Sequence, residues 1–223
     1  MWNSGWDNVH RDKEWGRYPP EELVRFMGRN YATIKKTNRD EISVLEIGCG
    51  AGANLIFLAG EGFKVTGLDG SGEALKRSTS RLKELGLSAR LDQGDAMALP
   101  YDDESFDCVL DIECIYANTI GDSRRILREV HRVLRSGGSF FSKTFMAGAT
   151  WEKTGRRMDG EPNTFLEIPD GPFNRGYGII RLTDEEEIPD IYDQFAEISF
   201  DFVIRSDQNR TKEVREWLIT CRK

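Results

Sequence analysis

Three glycines alternate through Glu46-Ile47-Gly48-Cys49-Gly50-Ala51-Gly52, a run that closes one short apolar stretch (42–47) and opens another (53–60). Glycine at such a junction lets the backbone turn sharply and lets a ligand lie against the main chain with no Cβ in the way. Seventeen residues past Gly52 comes Asp69, at the end of the next apolar run. A carboxylate there can accept hydrogen bonds from both hydroxyls of a ribose. Loop and acid together point to an adenosine-containing ligand. Gly48, Gly50 and Ala53 also satisfy G-x-G-x-x-A, so the loop by itself leaves an NAD(P)-dependent oxidoreductase open.

Further pieces turn the balance: Glu46 just ahead of the loop, the extra glycine at 52, and Gln93-Gly94-Asp95-Ala96-Met97-Ala98-Leu99-Pro100 followed by Glu104-Ser105-Phe106-Asp107-Cys108-Val109-Leu110. The combination resembles the class I S-adenosylmethionine-dependent methyltransferases, of the type that includes the ubiquinone-biosynthesis enzymes. The likeness runs from about residue 43 to 141 and takes in residues 129–138, similar to the helix-to-strand passage of the same family. It implies S-adenosylmethionine as cofactor. The glycine loop would carry its methionine part, the acid after the second strand its ribose, and the Asp-Ala pair after the third strand its adenine. On this chain those roles fall to Glu46, Gly48, Cys49, Gly50, Gly52 and Asn54, then to Asp69 with Gly70 and Ser71, then to Asp95 and Ala96. Asp111, at the carboxyl edge of the fourth strand, joins the cofactor set.

A sulfonium methyl is already activated, so such an enzyme can work mainly by holding a nucleophile in line and excluding water. A hydroxyl acceptor gains from a nearby base, whereas an amine has only to arrive neutral. His10 is the first candidate base, in a segment dense in aromatics (Trp2, Trp6, Trp15, Tyr18) that would either fold over the cofactor or cap an apolar edge. Glu113 and Tyr116 are the other catalytic candidates, at the edge where ligands bind in open α/β sheets. Neither Asn-Pro-Pro-Tyr nor Asp-Pro-Pro-Tyr occurs here, which counts against exocyclic amines of bases as acceptors. Lys153, Arg156, Arg157 and Arg175 beside Trp151, Phe165, Phe173 and Tyr177 form a basic, aromatic stretch. It reads either as solvated surface or as a phosphate-recognising patch, which would suit a nucleotide-linked or phosphorylated sugar.

Elements must hold these residues in place. Apolar runs alternate from residue 40 onward, with strands expected at 42–47, 63–68, 89–92, 106–111 and 139–143 and helices at 53–60, 72–85 and 122–135, the last ended by Gly137-Gly138. Residues 144–178, rich in Gly, Pro and charge, read as a long irregular insert. A helix over 183–195, opened by Thr183 with Glu186 three residues on, precedes period-two strands at 197–205 and 214–221. The polar turn between those strands pairs them as an antiparallel hairpin. The expected fold is therefore α/β, a doubly wound, seven-stranded, mostly parallel sheet of Rossmann-like type with an antiparallel C-terminal hairpin. The resemblance implies strand order 3-2-1-4-5-7-6. One domain over 1–223 would comprise a cover segment (1–40), a cofactor-binding core (41–143), a substrate-side insert (144–180), and a C-terminal helix with edge hairpin (181–223).

Bulk composition agrees. A chain of 223 residues suits one sizeable α/β domain. With 31 Lys and Arg against 38 Asp and Glu, the net charge of −7 disfavours nucleic acid as a partner, since nonspecific binding of it rests on clustered cations. No stretch approaches the roughly 18 apolar residues that cross a bilayer, and the first ten residues do not resemble a secretory signal, so no membrane partner and a cytoplasmic location are expected. Cys49, Cys108, Cys114 and Cys221 form no CxxC pair and meet no His cluster, which argues for reduced thiols and against a metal site. The reading is an enzyme, a methyltransferase acting on oxygen or nitrogen of a small molecule. A module that binds S-adenosylmethionine without turnover remains an alternative, as does the oxidoreductase, which lacks residues for a separate substrate domain.

Overall fold

Short apolar runs punctuated by glycine fold as strand, helix, strand in the computed structural model, which describes residues 5–12, 16–173 and 178–223. Trp2, Trp15, Arg175 and Tyr177 lie outside the described residues. Two helices come first, α1 (Gly5–Asp12) and α2 (Glu21–Tyr31). β1 (Ser43–Ile47), α3 (Ala53–Gly60), β2 (Lys64–Asp69), α4 (Gly72–Glu84), β3 (Arg90–Gln93), β4 (Phe106–Ile112), α5 (Ile120–Val133) and β5 (Leu134–Phe145) follow. β1 is buried along its whole length, as a near-continuous apolar strand covered on both faces should be. It pairs in parallel with β2 on one side and β4 on the other, while β3 extends beyond β2 and β5 beyond β4. Parallel neighbours need crossovers, and α3, α4 and α5 supply three of them.

β6 (Arg156–Arg157), β7 (Thr164–Glu167) and β8 (Ile180–Arg181) make a separate antiparallel sheet. The one-turn helix α6 (Ile188–Ile191) then leads into β9 (Glu197–Asp207) and β10 (Lys212–Arg222). β10 pairs antiparallel with β5, from Arg222 opposite Ser139 to Glu216 opposite Phe145, and β9 lies outside it. The large sheet thus runs β3-β2-β1-β4-β5-β10-β9, which is 3-2-1-4-5-7-6 counted within that sheet, as expected.

Alternating side chains divide the core. Val44, Val65, Cys108, Leu110 and Phe141 pack with α2 and α3, where Phe26 stacks on Phe141 at 4.6 Å between ring centres. Leu45, Ile47, Leu68, Val109 and Phe140 pack with the apolar stripe Ile126, Leu127, Val130 and Val133 of α5. Burying each such large side chain contributes roughly 1.5–3 kcal/mol, so both faces hold the strand ends in place.

Three expectations need correction. The helix over 183–195 shrinks to a 3-10 turn (Glu185–Glu187) and α6, because the capping box is made by Asp184 and Glu187. Thr183 instead donates its N–H to Phe145 O at 2.9 Å, tying it to the end of β5. The helix expected over 122–135 stops at Val133, and Gly137-Gly138 fall inside β5, where pairing with β4 jumps from Phe106–Leu134 to Cys108–Ser139. The insert is not irregular: Phe145, Trp151, Phe165, Phe173 and Ile180 build a third apolar cluster. Trp151 Nε1 locks it to β10 by donating to Glu213 O at 2.8 Å. The four cysteines are free. Among the described residues no helix is long and apolar enough to cross a membrane, and no group of three His, Cys, Asp or Glu could hold a metal ion.

Candidate active site

Left-handed backbone at Gly50 (φ 52°) and Gly52 (φ 80°) folds the chain back from β1 to start α3. A Cβ on Gly52 would fall 2.3 Å from Ser78 Oγ on α4, and one on Gly48 would fall 2.4 Å from Cys114 Sγ. Packing therefore closes both positions to any side chain. Gly50 differs, because the nearest atom to its added Cβ would be His10 Cε1 at 3.5 Å. It lines a cavity of about 520 Å³ at the carboxyl ends of the parallel strands. The main chain there is bare toward that space.

Asp69 braces the loop. Its Oδ2 accepts the Gly50 N–H at 2.8 Å and its Oδ1 accepts the Ser71 N–H at 2.7 Å. Burial nevertheless pushes its carboxyl above the ordinary range. Glu46 lies on the neighbouring strand, only 1% exposed, and its Oε1 accepts from Asn54 Nδ2 at 2.6 Å. Its Oε2 has no partner. Burial, abetted by the charges of Asp69 and Asp111 and opposed by Asn54, pushes Glu46 up to about 8. A buried polar atom left unmatched costs roughly 1–3 kcal/mol, so this oxygen marks a place for a partner from outside the chain, and a cation seated there would favour the ionised carboxylate.

The cavity gathers most of the residues singled out by sequence. Glu46, Gly48, Cys49, Gly50 and Asn54 form its floor, Asp69 and Gly70 one side, and Asp95 and Ala96 the next. Glu113 and Tyr116 lie after β4, and His10 with Trp6 and Tyr18 on the N-terminal side. Asp7 on α1 accepts from Ser71 Oγ at 2.6 Å and Arg77 donates to Arg11 O at 2.9 Å, which seats α1 on α4.

Gly52, Ser71 and Asp111 stand behind the wall. Gly52 is turned into α4. Ser71 is fully buried, its hydroxyl accepting the Ala74 N–H at the start of α4 while donating to Asp7. Asp111 accepts the N–H groups of Cys114 at 2.9 Å and Ile115 at 3.1 Å and the Ser142 hydroxyl at 2.5 Å. Burial pushes its carboxyl up to about 6 against these bonds. Asp111 thus shapes the turn that presents Glu113 and Tyr116. Of the basic, aromatic stretch, Lys153, Arg156 and Arg157 are exposed and lie off the wall of this cavity, Arg157 over the Phe165 ring at 4.8 Å, as the solvated-surface reading has it.

The cations that do reach the wall, among the described residues, are Lys143 and Arg205, which the motif reading missed. Lys143 Nζ donates to Glu113 Oε1 at 2.6 Å and also to Glu216, whose second oxygen takes Arg205 at 2.8 Å. Lys143 is 2% exposed and Glu216 is fully buried. Burial alone would lower the Lys143 ammonium, but Glu113 and Glu216 more than offset it and raise it. Burial likewise pushes Glu113 up, and the Lys143 ammonium reverses this, holding its carboxyl below the usual range. The available signal was charge inside predicted strands, Lys143 within 139–143 and Arg215 with Glu216 within 214–221. Nothing local said that they would meet.

A glycine loop after β1, an acid at the end of β2 and a cavity at the strands' carboxyl ends make a site suited to an adenosine-containing ligand. Residues 44–138 match the family model described as a methyltransferase domain, an enzyme family whose cofactor is S-adenosylmethionine. The chain is 38% identical over 120 residues to norajmaline N-methyltransferase of Rauvolfia serpentina, covering 52% of this chain and 39% of that protein. It is 38% identical over 124 residues to the uncharacterized methyltransferase YcgJ of Bacillus subtilis, covering 54% and 48%. The chain thus spans half or less of the length of these relatives. In structure it is similar to a SAM-dependent methyltransferase of Methanosarcina mazei, with TM-score 0.67, 26% identity, and coverage of 81% of this chain and 92% of that one. A phosphoethanolamine N-methyltransferase of Haemonchus contortus solved with S-adenosylmethionine shares the fold, at TM-score 0.67 and 17% identity over 91% of this chain and 52% of that one.

Proposed function

We propose that this chain transfers the methyl group of S-adenosylmethionine to an oxygen or nitrogen of a small molecule seated in the cavity. The observation that carries the reading is the unpartnered, buried Glu46 Oε2 beside the bare main chain of Gly50, with Asp69 on the adjoining strand. These groups fit the cofactor: an orphaned carboxylate oxygen suits an ammonium, and a second carboxylate suits a ribose diol. Glu46 and the Gly48 to Gly50 backbone would hold the methionine part, Asp69 the ribose, and Asp95 with Ala96 the adenine. Bound there, S-adenosylmethionine supplies an electrophilic methyl that needs no further activation.

The remaining work falls to the chain itself. The helix α1, with Trp6 and His10 on the wall, excludes water from the loop end. Glu113, Tyr116 and His10 are the groups able to orient an acceptor or take its proton. Gly52, Ser71 and Asp111 support these from behind. The 1–40 segment and the 144–180 insert would complete the site over the 41–143 core. The ubiquinone-biosynthesis type suggested by the sequence rests on its motifs, and the phosphorylated sugar has weak support with Lys153, Arg156 and Arg157 off the wall. Calorimetry with S-adenosylmethionine and NAD, followed by a screen for S-adenosylhomocysteine release, tests the reading. Uptake of the first with turnover of any acceptor upholds it; uptake of NAD alone, or of neither, overturns it. Uptake without product across amines, phenols, alcohols and acids would leave a binding module.

A further inference from the structure

We propose that the acceptor is an amine, bound through its N–H groups by Glu113. This rests on the methyltransferase reading above and names the acceptor class for the same cavity.

Charge is distributed unevenly over the wall. Lys143 and Arg205 are its cations among the described residues, and both are already engaged, Lys143 by Glu113 and Glu216 and Arg205 by Glu216. To draw on Lys143, a phosphate or carboxylate on the acceptor would have to break its pair with the buried Glu216, and a partner so abandoned is costly, while the half-exposed Arg205 is already shared between Glu216 and solvent. Anionic acceptors are therefore disfavoured. Against them stand Glu46, Asp69 and Asp95 toward the cofactor end, Glu113 toward the end of β4 and Asp122 in the first turn of α5. The side chain of Glu113 is 39% exposed, so ligands can reach it.

Glu113 is also fixed at both ends. Its backbone is left-handed at φ 59°, an unfavourable conformation for a residue with a Cβ, and its N–H donates to Lys143 O at 2.9 Å. Its Oε1 accepts from Lys143 Nζ on the same strand residue. A carboxylate can accept about four hydrogen bonds, so one from Lys143 leaves capacity for an N–H of a ligand. An ionised carboxylate held by an ammonium is a poor proton acceptor for an alcohol, yet it accepts N–H hydrogen bonds from an amine; an amine that arrives protonated first loses that proton to water, and its freed lone pair then takes the methyl. His10, the alternative base, stands over Gly50 at the loop end. Ile112, Ala117 and Ile126 give the same wall apolar surface between Tyr116, Asn118 and Asp122, which suits a hydrocarbon or aromatic body behind the nitrogen.

The test uses the full chain saturated with S-adenosylhomocysteine, titrated by calorimetry near neutral pH with benzylamine, benzyl alcohol and benzyl phosphate. Benzylamine should bind about tenfold or more tightly than either of the others. Glu113→Gln should erase that preference while S-adenosylhomocysteine affinity stays within about threefold, which shows that the variant is folded. Equal or tighter binding of the alcohol or phosphate overturns the proposal. So does undetectable benzylamine binding at about 10 mM, or an unchanged preference in a folded Glu113→Gln. Should S-adenosylhomocysteine itself fail to bind, the cofactor reading falls and takes this one with it; normal uptake with any of the other failures sinks the amine assignment alone.

Discussion

A carboxylate sealed beside a second carboxylate, as Glu46 is beside Asp69, keeps its proton up to about pH 8 rather than 4.5. Because the folded value lies above the ordinary one, its contribution to stability is complete below about pH 4.5 and is lost as pH rises through about 8. Urea unfolding of Glu46→Gln at pH 6 and pH 9 should show the variant gaining on the parent chain by roughly 1–3 kcal/mol at the higher pH. An equal difference at both would contradict the shift. Asp69→Ala should weaken S-adenosylmethionine binding by about 2–3 kcal/mol, since it removes a ligand contact and two loop braces at once; calorimetry reads this directly. These residues were legible in the sequence because loop and acid are local features, a few residues long, whose chemistry is stated by their spacing. Ser71 and Asp111 were legible as neighbours of the site, but only the fold reveals that their oxygens are spent on helix and turn ends.

At the level of elements, the strand and helix alternation was readable because each buried strand is a continuous apolar run and each crossover helix carries its own stripe. α6 was overextended because Asp184 captures the helix start one residue later than Thr183, which β5 has claimed. The insert was unreadable for a different reason: its cluster is assembled from Trp151, Phe165 and Phe173 against a strand more than sixty residues on, as the Trp151 bond to Glu213 shows. Close packing of α3 on α4 makes its own prediction. Gly52→Ala places a methyl 2.3 Å from Ser78 Oγ in a left-handed position, and should lower stability by about 1–3 kcal/mol, measured by thermal unfolding. Lys143→Met leaves Glu113 and Glu216 facing each other and should cost about 3–5 kcal/mol. Adding Glu216→Leu should recover most of it, because Arg205 is exposed enough to hydrate.

For the molecule as a whole, ligand and fold are linked by mass action. S-adenosylmethionine at 100 times its Kd should add about 2.7 kcal/mol, a rise in Tm of roughly 5–10 °C for a chain of this size, and Asp69→Ala should abolish most of it. The insertion of β10 between β5 and β9 has a temporal meaning. Until β10 has been made and docked, the glycine loop far ahead of it in sequence is already present, yet β5 presents an open ladder from Ser139 to Phe145 and the ammonium of Lys143 lacks one of its two counter-charges. An unpaired strand edge of that kind invites sticking to other chains. A chain still lacking β10 would be the form that most needs a chaperone, and the edge of the pocket where Lys143 holds Glu113 would be the last to take shape.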